Sequence, residues 1–379
     1  MIACPNPTAE ETARDTHQMR GQFLARQDRW TELVEHIRLA EDARRATPSA
    51  MPVADLLSYG ARSDVVLAVE HALFDGRPAR GAPMLRGIEA LEEVLAEAGN
   101  DMILSTVVAH AHMDIAWAWR GTGWDSQVPR RNRDAFEAHF DRARDILARF
   151  SVAETQSPTL AAAKCALHGV GGDQSDRLAA DYEALIDLAP GNPGPMRAMG
   201  NFLSPRWFGS YQKLELEARR TAARTQDVWG AGAYTWVMFD ALSGDDAACA
   251  NLDLEFFVEG LHDILARTPN QHMVNLLAAY CAHTIGGNLT GCDAADQTRA
   301  RIAACAGWIV RNHMTELHPM IWAHAAVGFG NNLTVKSARG FALAGQKEAL
   351  RIIADLFKRE IASGHRIIFT ADGPVAEPS

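Results

Sequence analysis

Residues 102–120 read MILSTVVAHAHMDIAWAWR, and the winding of this run decides the fold. As a strand, His110, His112 and Asp114 would share one face. As a helix, positions two apart diverge by about 200°, and only His110 and Asp114 meet. Asn100-Asp101 ahead of the run offers a capping carboxylate, and Arg120-Gly121 behind it offers a stop. The run is also long for a strand. We therefore read a buried helix, in which His110 and Asp114 form a satisfied polar contact.

The same period recurs outward from this segment. Trp30, Leu33, Val34, Ile37 and Leu39 mark one helix face, with Glu32, Glu35 and Arg38 on the other. Similar faces run through 65–73, 84–95, 136–150, 178–188, 252–265, 273–285, 302–314 and 349–361. Ser157-Pro158, Asn192-Pro193, Ser204-Pro205 and Thr268-Pro269 each read as a capping residue before proline. Gly76, Gly99, Gly121, Gly169 and Gly364 read as helix stops. Short connections predict antiparallel hairpins. The predicted fold class is all-α, an α-α superhelix of such hairpins. Only His365–Thr370 looks strand-like, beside a loose Gly/Pro tail. The domain expectation is 1–170 and 171–364 with a tail at 365–379, or one continuous solenoid over 8–364.

Composition narrows function more than it defines it. The 379 residues carry a formal charge of −10 and a hydrophobic fraction of 47%. A core is available, while the basic stripe that nucleic-acid binding requires is absent. No apolar stretch without charge reaches membrane length, and the start of the chain lacks a secretory pattern. Six cysteines without a C-x-x-C pair suit a reducing, cytoplasmic setting.

Two resemblances bear on the fold. Leu178, Tyr182, Leu185 and Pro190, followed by Met199 and Gly200, resemble a tetratricopeptide junction, with Met196 where that family has Trp. The match covers about one repeat. It implies stacked helix pairs in which Gly200 permits close helix approach. Pro205, Arg206, Trp207, Gly209 and Ser210 are similar to an element of bacterial helical-repeat proteins of unassigned function.

A third resemblance bears on chemistry. His110-x-His112-x-Asp114-x-x-Trp117 is similar to the signature of zinc-dependent α-mannosidases, which implies His112 and Asp114 as metal ligands. Those enzymes carry a large β portion that this chain does not. With the helical reading preferred, the leading expectation has no catalytic residue, no cofactor and no metal. The function expected is a non-enzymatic binding or scaffolding module with a concave groove. A zinc-dependent hydrolase is the alternative. The candidate ligand-binding residues are Trp117, Trp119, Arg120 and Trp124, with Arg206, Trp207 and Tyr211, because an arginine beside tryptophan suits an aromatic anchor and a carboxylate. The partner expected is a protein, a peptide or a small acidic ligand, with neither nucleic acid nor membrane. The oligomeric state stays open.

Overall fold

The computed structural model describes the chain apart from residues 74–75, 124, 170–174, 208, 288, 329–334, 336 and 379. The described residues form twenty α-helices and one two-stranded sheet. They cluster as two compact units, Glu11–Pro195 and Met1–Glu10 with Met196–Ser379. The expected boundary between residues 170 and 171 lies outside the described residues.

The N-terminal unit comprises α1 (Ala9–Arg26) from Glu11 onward, α2 (Trp30–Asp42), α3 (Val53–Ala72), α4 (Arg86–Glu97), α5 (Met102–Arg120), α6 (Arg130–Ala148), the one-turn α7 (Val152–Thr155), α8 (Pro158–Ala166) and α9 (Ser175–Leu188). Residues 102–120 are thus helical. The Asp101 carboxylate accepts the Leu104 amide at 3.1 Å, and Gly121 ends the helix with φ +65°. α5 is the core of its unit: Ile103, Leu104, Val107, Val108, Ala109, Ala111 and Ile115 are all sealed from solvent. Burying each large aliphatic side chain contributes about 1.5–3 kcal/mol before conformational entropy is counted. α3, α4, α6 and α8 pack around it.

α10 (Pro193–Phe202) leads into the C-terminal unit. That unit holds α11 (Tyr211–Arg224), α12 (Gln226–Trp229), α13 (Gly232–Ala241), α14 (Asp246–Ala250), α15 (Leu254–Arg267) and α16 (Gln271–Ala279), which runs on as a π-helical turn at Tyr280–Ile285. α17 (Asp293–His313), α18 (Pro319–Val327), α19 (Ala338–Leu356) and α20 (Lys358–Ala362) follow. Consecutive helices pack on one another in α16–α17 and α18–α19, and α13 packs between α11 and α15.

Several local expectations are corrected. Ser157 does cap α8, accepting the Leu160 amide at 3.0 Å. Thr268 instead closes α15, and Asn270 caps α16. Pro205 opens a turn rather than a helix, because Ser204 spends its hydroxyl on the Gly200 carbonyl and Ser210 caps the next helix. The tail is not loose: β1 (His365–Thr370) pairs antiparallel with β2 (Gly373–Pro378). Phe369 also donates its amide to the Met1 carbonyl at 2.9 Å.

Candidate functional site

α5 distributes its motif to two sides. On one side, Asp114 accepts from Arg62 Nε of α3 at 2.6 Å, and Arg62 also donates to Ser58 Oγ at 3.1 Å. Asp114 therefore goes to Arg62 and not to His110, which corrects the expected His110–Asp114 contact. A guanidinium outcompetes a neutral imidazole for a carboxylate because the bond is charge-assisted at both ends. Burial is the main cause that lowers His110 to about 4, with Arg62 adding to it. Burial likewise pushes Asp55, on α3, up to about 6 against the pull of Arg62.

On the other side, His112 Nε2 donates to Glu92 Oε1 of α4 at 2.8 Å. Its Nδ1 faces His139 Nδ1 of α6 at 2.9 Å. Only one of those two nitrogens carries the proton. With Nε2–H committed to Glu92, a neutral His112 presents a bare Nδ1, so His139 is the donor. Arg142 closes the network with two bonds to Glu92, at 2.9 and 2.6 Å. Hydrogen bonds from Arg142 hold the Glu92 carboxyl below its ordinary range. Burial, then the charge of His112, lowers His139 to about 4. His112 and Asp114 thus serve different partners, and among the described residues no three His, Cys, Asp or Glu side chains are placed to hold a metal ion.

The predicted ligand residues fall into two groups, one per unit. In the N-terminal unit Trp117 is 42% exposed, with its other edge against Phe136 and Phe140. The Arg120 guanidinium lies 5.9 Å from the Trp117 ring centre. Trp119 is buried, with Arg131 over its ring at 5.5 Å. Trp124 lies outside the described residues. In the C-terminal unit Trp207 is 47% exposed and meets Phe202 edge-on. Arg206 donates to Asn201 Oδ1 at 2.5 Å, and Tyr211 donates to Asp245 at 3.0 Å. Burial, then that carboxylate, raises the Tyr211 phenol.

A groove of about 560 Å³ in the N-terminal unit escaped the sequence reading. α1 supplies His17 and Arg20 to it, α2 supplies His36, and the α2–α3 connection supplies Arg45. No local spacing announces such a set, because its members come from three separate segments. The signal present was the single-sign charge of the ionisable residues involved, visible only once the helices are assembled. Among the described residues, no helix is long and apolar enough to cross a membrane. Comparison with protein-family models, curated proteins and solved structures finds no match to this chain.

Proposed function

We propose that the chain is a non-enzymatic binding or scaffolding module, a tetratricopeptide-like array of helix hairpins that anchors a protein or peptide partner, or a small acidic ligand, on tryptophan–arginine pairs. The observation that carries this reading is the exposure of Trp117 and Trp207, at 42% and 47%, each beside an arginine. Large aromatic rings release the most free energy when covered, and arginine beside them recruits carboxylates, so such pairs are typical interface anchors. Six free cysteines agree with a reducing, cytoplasmic setting.

The test compares wild-type protein with W117A/R120A and R206A/W207A. Native mass spectrometry identifies what co-purifies, and thermal melts report folding. Loss of the bound species from a double variant with an unchanged Tm supports the proposal. Retention in both variants would overturn it. Metal content provides a separate check: near-stoichiometric zinc that disappears in a folded H112A variant would replace the module with a zinc-dependent hydrolase.

A further inference from the structure

The groove of the N-terminal unit shares no lining residue with either tryptophan pair, so what it binds is a separate question. In a chain of formal charge −10, its ionisable lining residues are His17, Arg20, His36 and Arg45, with no carboxylate among the described lining residues. The charge is only partly compensated from outside. Glu32 takes one nitrogen of Arg20 at 2.5 Å and lies 3.4 Å from His36 Nε2, and it serves Arg29 as well. Arg45 is exposed and has no carboxylate partner among the described residues. Burial, then the charge of Arg45, lowers the His17 imidazole. Like charges gathered around one shared carboxylate still repel, and a bound anion would relieve them.

Apart from Thr16, whose hydroxyl donates to the Thr12 carbonyl, the rest of the lining is apolar. Leu57 and Val53 of α3 form a nearly sealed floor, and Phe23 stands 47% exposed with the Arg20 guanidinium 5.8 Å from its ring centre. The volume, about 560 Å³, suits a small molecule rather than a bare ion. We infer that this groove binds a small organic anion, a phosphate monoester carrying a flat apolar group, with the phosphate held by Arg45, Arg20 and His17 and the apolar group against Phe23 and Leu57. Two guanidiniums and the His17 imidazole match a dianion better than the single charge of a carboxylate. The bound dianion favours protonated His17, so binding draws in a proton and strengthens as pH falls towards 6.

The experiment is titration calorimetry of the full chain with phenyl phosphate at pH 6.5 and low salt, in two buffers of different ionisation enthalpy. Saturable one-to-one binding with net proton uptake is expected. R45A, at an exposed position, should lower affinity about tenfold or more without changing Tm, the scale of a lost charge-assisted bond. H17Q should remove most of the proton uptake. Inorganic phosphate and benzoate should both bind more weakly than phenyl phosphate. Absence of binding to millimolar phenyl phosphate, or equal affinity in R45A, overturns the site; tighter benzoate binding overturns the phosphate assignment. The W117A/R120A variant should bind phenyl phosphate unchanged, so failure of this inference and failure of the tryptophan–arginine reading are told apart.

Discussion

A single side chain carries a measurable share of the pH response. Folded, His139 stays neutral down to about 4, whereas an unfolded imidazole protonates near 6.5. Between those limits the unfolded chain binds more protons, so stability falls as pH drops through the window. Asp55 acts with the opposite sign. Its folded carboxyl is raised to about 6, so the folded chain binds more protons below that and gains stability on acidification. A wild-type curve mixes the two, and the difference against H139L isolates His139. From pH 7 to pH 5, wild type should lose about 2 kcal/mol more than H139L, by urea midpoints at both pH values. Equal losses would remove His139 from the account. This network was half legible: residues 102–120 read as a helix, and that alone sets His112 apart from Asp114. Its partners Glu92, His139 and Arg142 lie on neighbouring helices, and no spacing within one segment points to them.

Elements record a different kind of information, the closeness of backbones. Gly200 of α10 was legible as a small residue at a helix crossing. A methyl there would sit 1.8 Å from the Val237 carbonyl oxygen of α13. Gly99, which ends α4, has open space around it but adopts φ +66°. The two glycines are required for different reasons, and alanine separates them. G99A should cost about 1 kcal/mol, the price of a left-handed backbone with a side chain. G200A should cost about 3 kcal/mol, because two packed helices must move apart. Urea unfolding of both variants decides the matter; a milder G200A would mean that α10 shifts freely. Most helices were readable from the apolar period because each has one covered face. Thr268 and Ser204 were misread because a cap-like residue before proline says nothing about which helix its hydroxyl serves. The hairpin at 365–378 was half seen. Its first strand carries Ile367, Ile368 and Phe369, whereas its second carries Pro374 and Pro378 and looks like a tail.

At the scale of the molecule, chain order and spatial membership part company. Residues 1–10 belong to the unit formed by 196–379, although residues 11–195 come between. The attachment is backbone pairing. Leu317 donates its amide to the Ala3 carbonyl at 2.8 Å, Phe369 donates to Met1 at 2.9 Å, and Ala3 bridges Glu316 in parallel. Gln346 adds a contact to Cys4 Sγ at 3.6 Å. Local periodicity carries no trace of this, since a short extended segment is decided by what it pairs with. The consequence is testable by hydrogen exchange, because an amide that loses its acceptor exchanges through smaller openings. Deleting residues 2–5 should speed exchange at Leu317 and Phe369 by about tenfold or more, equivalent to roughly 1.4 kcal/mol of local stability. The α5 amides from Val107 to Ile115 lie in the core of the other unit and should exchange at the wild-type rate. Equal acceleration in both places would mean that the segment stabilises the chain as a whole. Unchanged exchange at Leu317 and Phe369 would mean that the pairing contributes nothing to the two segments it touches.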